Sequence, residues 1–598
     1  MQFDLVLLSL GGVQRFIGEA RSTADVAGAS EIVQQWAKLA AATVEQRLAG
    51  QREPCGLIFP AATSSHSVSN KIVFLAPAGT GPTVARAVTE DIGKRWRDQL
   101  KAVFKTGQPP GTPGLPDLSW VSVTGPVTTE GEYRALWKAA QREMAGRRRA
   151  RVFEPVEIPR TILCAQSPGL PAVTAPRGSP PHERAEALSG AGWAKRRVGQ
   201  QRRRADHQPF PSTVSIASSV FRSELLERAT ADPDLAATLR DPVAKLTAAV
   251  QQLGLSTDRA ELRTPSPSPP GLEALAGPLG AWISPERWDV ETIEQEYRTR
   301  PDNQTVRTAR QAAGRLRTVA RQAGVDAPSP YYAIVVQDLD KLGRGLDGFG
   351  LDQQREVSRL LSELAAEQAT LLHDQHPRAV LVYAGGDDLL AFCPAGDALG
   401  LAESLRRQIA AFTSTGPLAT AGPGRGPITA STGVAFAHMA SPLQDAIQAA
   451  RAAIDAAKHQ ARRGGRSRDA LGVVVRRRGG ERARTVQPWW PVPPDGASAA
   501  QLLTRIRPDP RADALSAVLG SDLERDQATL SELAEADRTL LRAELIRLVR
   551  RHGGTPQAGD ALCTLGLSER GAPGRFEPVP AALVARFLTQ EAHSQEVR

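Results

Sequence analysis

Short apolar runs and longer amphipathic stretches alternate in the first 130 residues of the chain. Apolar runs rich in Val, Ile, Leu and Phe predict strands, and stretches with apolar residues every three or four positions predict helices. The predicted strands cover 5–10, 56–59, 71–75 and 120–123, and the predicted helices cover 13–48 and 82–104. The resulting order, β-α-β-β-α-β, is typical of a split β-α-β sheet.

The same succession of patterns returns in residues 331–478. Because the two stretches differ in sequence, the repeat is a duplication of pattern and not of identity. The predicted strands lie at 331–337, 378–383, 389–393, 428–437 and 470–475, and the predicted helices at 351–373, 397–412 and 442–462.

The two remaining regions lack this alternation. Residues 131–330 combine a charged helix, loops rich in Pro and Gly and further helical segments. Residues 479–598 are predicted to be mostly helical, for example over 529–551. The sequence therefore predicts an α+β protein with two ferredoxin-like domains (1–130 and 331–478), a helical insert and a C-terminal helical domain.

The composition limits the class of protein. With 41% hydrophobic and 23% charged residues, the 598-residue chain can build several packed cores. No stretch approaches the roughly 20 unbroken apolar residues that cross a membrane, and the N-terminus is typical of a strand rather than a secretory signal. The cysteines are far apart, which excludes a disulfide scaffold and a CxxC zinc site and favours the cytoplasm: Cys55, Cys164, Cys393 and Cys563.

Arginine carries most of a net charge of +10, which results from 74 Lys and Arg against 64 Asp and Glu. Runs at 147–151, 196–197, 202–204 and 476–478 concentrate this charge. Such runs indicate a polyanionic partner, and nucleic acid more than a bilayer, although arginine-rich helix faces are often simply solvated.

A tight turn in the second repeat carries the candidate chemistry. Asp387 and Asp388 follow Gly385 and Gly386 between two apolar strands, and the glycines permit positive φ in the turn. Because side chains alternate along a strand, the two carboxylates point differently. We expect one to face a metal ion and the other a second metal ion or the nucleotide. The alternative is a hydrophilic hairpin tip without chemistry.

Two further carboxylates follow the strand that is predicted to lie beside this hairpin. Asp338 and Asp340 come at the end of the apolar run 331–337. Carboxylates that converge at strand ends suit Mg²⁺ when the ion must also hold triphosphate oxygens. The first repeat has no such residues, since Leu10-Gly11-Gly12 and the segment 64–70 contain no carboxylate. We expect it to complete a nucleotide pocket or to act as scaffold alone.

These motifs, in this order, resemble the large palm-domain subunit of type III CRISPR effector complexes, in particular the Cmr (type III-B) branch. The segment Asp338-Leu339-Asp340-Lys341-Leu342-Gly343 resembles the family's Asp-Gly-Asp-x-Met-Gly motif, and Gly-Gly-Asp-Asp is its signature. Further similar segments are 12–25, 210–213 and 468–472.

The resemblance implies two cyclase/polymerase-like palm domains, the first (1–130) inactive and the second (331–478) carrying the Gly-Gly-Asp-Asp motif. It implies a nucleotidyltransferase that converts ATP to cyclic oligoadenylates with two Mg²⁺ or Mn²⁺ ions when guide RNA pairs with target RNA. The implied partners are these RNAs and the neighbouring Cmr backbone and small subunits.

The resemblance also implies roles for single residues of this chain. Asp387 and Asp388 would be catalytic carboxylates and metal ligands, supported by Asp338 and Asp340. Nucleotide-binding residues would be Gly385, Gly386, Lys458 near the phosphates and Ser431 near a base, although Lys458 is equally typical of an exposed helix lysine.

The sequence departs from the family in three ways. The N-terminal His-Asp nuclease domain is expected to be absent, since the first palm begins at residue 1. The family's zinc-binding cysteines are missing, with Leu188 to Trp193 where one pair is expected, so the insert (131–330) should be held by packing without zinc. Leu339 replaces a usual glycine.

Three other functions stay open at this point. A stand-alone dinucleotide cyclase has a similar turn, but here Leu389 and Leu390 follow the aspartates. A non-catalytic RNA-binding scaffold would keep the carboxylates as vestiges. An enzyme that joins ATP to another small molecule would use the same residues.

Overall fold

The structure is a computed structural model of the chain. It describes residues 1–61, 70–105, 115–149, 162–201, 209–255, 267–298, 300–422, 426–460, 468–491, 496–506, 515–516, 518–570 and 576–590. The predicted turn at 64–69 and the arginines at 202–204 lie outside these residues.

A four-stranded antiparallel sheet with order β2-β3-β1-β4 forms the first α/β unit. Its helices interrupt the strands as the pattern predicts, but the predicted helix over 13–48 is two helices, because Ser22 caps the second one with a capping box. The elements are β1 (Gln2–Leu10), α1 (Val13–Gly18), α2 (Thr23–Leu48), β2 (Gly56–Phe59), β3 (Lys71–Pro77), α3 (Gly81–Phe104) and β4 (Leu118–Pro126).

The region between the two sheets is helical. Its elements are α4 (Glu130–Arg149), α5 (Pro181–Arg184), α6 (Gly190–Gln201), α7 (Thr213–Ala217), α8 (Ser219–Ala231), α9 (Pro233–Gln252), α10 (Glu273–Ala276), α11 (Val290–Tyr297) and α12 (Asn303–Gln322).

One of these helices, α6, crosses α2 of the first unit at very short range. A Cβ atom on Gly28 would overlap the Lys195 carbonyl, and one on Gly199 would overlap the Ala24 carbonyl. Glycine at both positions lets the two backbones touch. Arg196 of α6 also pairs with the fully buried Asp25 of α2, with Nε 2.5 Å from Oδ1. Close packing and a buried ion pair therefore dock the insert onto the first sheet's helix.

The second α/β unit is built on a six-stranded sheet with order β10-β9-β8-β5-β7-β6, in which β8 and β9 are parallel and the other pairs antiparallel. Its elements are β5 (Tyr331–Leu339), α13 (Leu342–Leu346), α14 (Leu351–Gln375), β6 (Val380–Ala384), β7 (Asp388–Pro394), α15 (Ala398–Phe412), β8 (Ala430–His438), α16 (Leu443–His459), β9 (Ala470–Arg477) and β10 (Gly480–Pro488). The mixed sheets and helices confirm the predicted fold class. The predicted domain boundaries stay predictions.

The C-terminal region consists of short helices that pack on the second sheet. They are α17 (Ala499–Arg505), α18 (Leu519–Arg525), α19 (Gln527–Ala536), α20 (Arg538–Arg551), α21 (Pro556–Ser568) and α22 (Val579–Gln590). The segment 529–551 is helical as predicted and is divided at Asp537, which ends α19 and whose side chain accepts the backbone N–H groups of Thr539 and Leu540 to begin α20. Among the described helices, none has the length and apolarity required to span a membrane.

Two apolar clusters cross between the α/β units. One joins Trp36 on α2 to Val382 on β6 and Phe392 on β7. The other joins Leu7 on β1 to Leu361 on α14. The two units are thus held together through shared cores, which fixes the space between them.

A buried carboxyl group links the C-terminal region to the sheet edge. Glu569 accepts the Val486 backbone N–H at 2.7 Å and a Gln487 side-chain N–H at 2.6 Å. Burial raises the pKa of Glu569 from 4.5 to about 8, against the lowering effect of these bonds. The folded protein therefore holds a proton here that the unfolded chain releases above pH 4.5.

From this pKa we expect a pH-dependent loss of stability. Between pH 4.5 and 8 the folded state binds more protons than the unfolded state, so the free energy of unfolding falls as pH rises, by at most about 1.4 kcal/mol per pH unit. Glu569→Gln removes this contribution. Thermal unfolding midpoints of both proteins, measured from pH 5 to 8, should converge or cross as pH rises, and parallel curves would contradict the expectation.

Candidate functional site

The ends of three neighbouring strands bring the aspartates together. Asp338 on β5 lies directly opposite Asp388 on β7 on one side and Ser431 on β8 on the other. The turn between β6 and β7 closes against β5, since the Leu339 backbone N–H donates to the Asp387 carbonyl at 2.8 Å. The sequence therefore predicted correctly that the hairpin and the preceding strand adjoin.

Gly386 shapes the tip of this hairpin. Its φ of 87° lies in the left-handed region, and a Cβ atom on it would overlap the carbonyl oxygen of Leu361 on α14. Both the backbone conformation and the close approach of the helix therefore require glycine. This contact fixes the position of the hairpin tip, and with it the positions of Asp387 and Asp388, which follow Gly386.

Gly386→Ala should displace the hairpin. We expect a loss of at least about 2 kcal/mol in the free energy of unfolding, since a left-handed backbone and an overlap with a helix carbonyl both disfavour a methyl group. Gly343→Ala is a matched control, because a Cβ atom there meets nothing within 4 Å. Denaturant titration of both variants tests this, and equal midpoints would show that the hairpin accommodates the methyl group.

A cavity of about 550 Å³ lies between the two α/β units and reaches these strand ends. Asp338 and Asp387 line it, and Lys458 Nζ lies 2.8 Å from Asp338 Oδ1. Among the described residues that line the cavity, cations outnumber carboxylates six to three. The cations are Lys71, Arg148, Lys341, Arg344, Lys458 and Arg468, and the carboxylates are Asp338, Asp347 and Asp387.

Part of the wall is apolar. Phe59 on β2 and Trp137 and Met144 on α4 line it. A cavity with both apolar side chains and a cluster of cations suits a ligand that carries a flat apolar ring and anionic groups. The cavity therefore has the chemistry of a nucleotide site.

The carboxylates of Asp338, Asp387 and Asp388 lie close together, and the neighbouring cations do not fully neutralise their charge. Burial, and then the neighbouring Asp338, raise the pKa of Asp387. Burial also raises the pKa of Asp338, against the opposing effect of Lys458. The pKa of Asp388 lies well above its usual value because of burial and the charges of Asp387 and Asp338. A cation at this place would relieve the repulsion.

Asp388 lies directly opposite Asp338 and shares its face of the sheet, but it is not among the described residues that line the cavity. Its carboxylate accepts a hydrogen bond from the Tyr383 hydroxyl and lies near Arg451 on α16. Arg451 in turn donates to the Gln14 carbonyl of the first unit. Asp388 therefore faces the contact between the two units, while Asp387 faces the cavity.

The structure does not bring Asp340 or Ser431 to the cavity. Both are fully buried, and the Ser431 hydroxyl donates to Asp340 Oδ1 at 2.8 Å. Asp340 also accepts from the Thr429 hydroxyl and the Asp469 backbone N–H, at 2.8 and 2.9 Å. The expectation that Asp340 holds a metal ion and that Ser431 approaches a base thus has no support in this arrangement.

The cavity offers carboxylate oxygens to a divalent ion. Within the described part of the chain, no three His, Cys, Asp or Glu side chains are grouped closely enough to hold a metal. Magnesium, however, is commonly held by one or two carboxylates together with substrate phosphates. Asp338 and Asp387 face one cavity and repel each other, so these two residues fit such an ion.

Of the six cations of the cavity, the sequence assigned only Lys458 to the site. Lys71 on β3, Arg148 on α4 and Arg468 before β9 come from distant parts of the chain. Arg148 was interpreted as part of a surface run, yet its Nη2 donates to the Ser9 hydroxyl at 2.7 Å. A local pattern could not find them, since only the packing of the two units brings them together.

Another predicted basic run is structural. Arg196 pairs with Asp25, and Arg197 Nη2 lies 3.0 Å from Glu183 Oε2. These two arginines are therefore used inside the fold rather than offered to a polyanion. Arg151 lies outside the described residues, as do those at 202–204.

Comparison with known proteins adds family evidence to this geometry. Residues 331–467 match the family model of Cas10/Cmr2, second palm domain. The chain is similar to one in the cryo-EM structure of type III-B Cmr-beta in the apo state, with a TM-score of 0.61 and 13% identity over 98% of this chain and 81% of that one.

A second similar chain occurs in the cryo-EM structure of type III-B Cmr-beta bound to cognate target RNA. Its TM-score is 0.57 and its identity 15%, over 92% of this chain and 78% of that one. No curated protein matches the sequence. Residues 331–467 thus match the second palm domain that the motifs predicted, and the chain shares its fold with these type III-B chains.

Proposed function

We propose that this protein is the large subunit of a type III-B effector complex and a nucleotidyltransferase that converts ATP to cyclic oligoadenylates. The observation that carries the proposal is the pair of carboxylates, Asp338 and Asp387, facing a basic cavity between the two palm domains. The Cas10/Cmr2 match covers the strands that hold both residues.

Different residues of the cavity would bind the metal ion, the phosphates and the base. Asp338 and Asp387 would hold Mg²⁺ or Mn²⁺, which lowers the pKa of an attacking hydroxyl and neutralises charge on the phosphates. Lys458 lies beside Asp338 and would bind the triphosphate oxygens. Phe59 and Trp137 offer an apolar wall to a base. The described residues of the first palm supply part of the wall and no carboxylate to it.

In each transfer, the 3′-hydroxyl of one ATP attacks the α-phosphorus of another. A phosphodiester bond forms, the bond between the α- and β-phosphates breaks, pyrophosphate leaves and the hydroxyl proton passes to solvent. The protein contributes mainly orientation and fixed positive charge. An intramolecular repeat of the same step closes the ring.

The partners of the complex follow from the same proposal. Guide RNA, target RNA and neighbouring Cmr backbone and small subunits surround the large subunit. Arg147 and Arg149 are exposed on α4 and remain candidates for phosphate contacts. Such contacts release counterions, so RNA binding should weaken with salt.

The assembled complex with ATP, Mg²⁺ and matched target RNA tests the proposal. We expect pyrophosphate release that depends on target RNA, and cyclic oligoadenylate masses in the product. Normal RNA binding without pyrophosphate release would identify a scaffold. RNA-independent product from GTP would identify a stand-alone dinucleotide cyclase, and a product containing another moiety would identify a different acceptor.

A further inference from the structure

The turn before β9 holds two consecutive residues in the left-handed backbone region. Arg468 has a φ of 73° and Asp469 a φ of 45°. Such a conformation is unfavourable for an arginine and persists where the surrounding contacts over-determine it. The Arg468 side chain lines the cavity, so the strained turn delivers a guanidinium to the nucleotide site.

Asp340 stabilises this turn by direct contacts with both of its residues. Its Oδ2 accepts the Asp469 backbone N–H at 2.9 Å, and its Oδ1 lies 3.5 Å from Arg468 Nη1. Hydroxyl groups of Thr429 and Ser431 occupy the other sites of the two oxygens, each at 2.8 Å. The carboxylate that the sequence assigned to a metal ion is therefore engaged with the turn.

Two arginines hold the turn from outside. Arg406, itself buried, donates Nε and Nη2 to Asp469 Oδ1 at 2.9 and 2.7 Å, and its guanidinium carbon lies 4.7 Å from the centre of the Trp490 ring. Arg570 of the C-terminal region donates Nη1 to the Arg468 carbonyl at 2.6 Å. The second palm and the C-terminal region together fix the turn.

The turn is also connected to the backbone next to Lys458, another cation of the cavity. The Arg468 backbone N–H donates to the carbonyl of Ala457 at 3.2 Å, and Ala457 precedes Lys458. A guanidinium has five N–H donors and binds phosphate in a fork. With a single nitrogen 3.5 Å from Asp340, Arg468 retains donors for a ligand.

We propose that Arg468 is a phosphate-binding residue of the cavity and that Asp340 is the positioning residue that holds its turn. This inference rests on the proposed function, which supplies the nucleotide. It replaces the metal-ligand role for Asp340 with one that acts through Arg468.

Binding of a non-hydrolysable ATP analogue with Mg²⁺ to the assembled complex tests the inference. Arg468→Ala should raise the Kd about tenfold or more, since a charge-assisted hydrogen bond is lost. Arg478→Ala removes the same charge from an exposed position outside the cavity and should leave the Kd unchanged. Asp340→Asn should also raise the Kd, with an unchanged Mg²⁺ concentration for half-maximal binding.

The double variant Asp340→Asn/Arg468→Ala should bind no more weakly than Arg468→Ala alone, because both changes remove the same contribution, which is phosphate binding by Arg468. If Asp340→Asn fails to fold, Arg570→Ala loosens the turn from outside the cavity and should raise the Kd in the same direction. Wild-type affinity in Arg468→Ala, or multiplying effects in the double variant, would overturn the inference. A wild-type complex that binds the analogue but makes no product would instead refute the proposed function alone.

Discussion

We expect Asp387→Asn to lower target-RNA-dependent pyrophosphate release by the complex by about 100-fold or more, and the double change with Asp388→Asn to lower it at least as far. The reason is that Asp387, together with Asp338, is proposed to hold the divalent ion beside the phosphates, and the amide carries no charge to do so. Loss of a single preorganised electrostatic contact in an active site typically costs a factor of about 100 to 1,000.

The same substitution should not weaken the fold. Burial and the nearby Asp338 raise the pKa of Asp387, so the ionised carboxylate is unfavourable in the folded protein without a cation. An isosteric neutral amide removes this repulsion, and the thermal midpoint without divalent ions should stay equal or rise. Loss of activity together with retained or increased stability separates a functional residue from a structural one.

Two controls sharpen this expectation. Asp374→Asn removes a carboxylate from an exposed position at the end of α14 and should change neither activity nor stability. Target RNA should bind the Asp387→Asn complex with unchanged affinity. Undiminished pyrophosphate release by the double variant would contradict the assignment of the site.

The sequence was informative wherever chemistry and local pattern coincide. Alternating apolar strands around Gly385 and Gly386 predicted the hairpin, and element order predicted that Asp338 adjoins it. The sequence could not separate Asp338 from Asp340, two residues on, since both end the same strand. Asp338 faces the cavity, whereas the buried Asp340 accepts hydrogen bonds from the hydroxyl groups of Thr429 and Ser431. Those two residues are distant from Asp340 in the chain.

Other misses have the same cause. The strand β10 was not predicted, because its first half is charged and only its second half is buried against the C-terminal region. Arg196 was interpreted as a surface arginine, because its partner Asp25 is 171 residues away in the chain. The charge of an arginine does not show whether its side chain is solvated or buried. That depends on whether the fold places a buried carboxylate beside it.

This buried arginine gives the largest expected effect on stability. Arg196→Ala should lower the free energy of unfolding by about 3–5 kcal/mol, since it leaves a fully buried carboxylate without its cation. Arg196 bonds Asp25 through Nε at 2.5 Å and Nη2 at 3.1 Å, and it also reaches Glu186 at 3.0 Å. The ion pair joins the helical insert to the first palm, so its loss should also expose the insert to proteolysis.

Arg15→Ala is the matched control, because Arg15 forms an exposed ion pair with Glu19 in the same region, worth at most about 1 kcal/mol. Denaturant titration and limited proteolysis of both variants provide the measurement. The double change Asp25→Ala/Arg196→Ala should be less destabilised than Arg196→Ala alone, because no unpaired charge is left buried. If Arg196→Ala unfolds no more easily than Arg15→Ala, the ion pair adds nothing to the attachment of the insert.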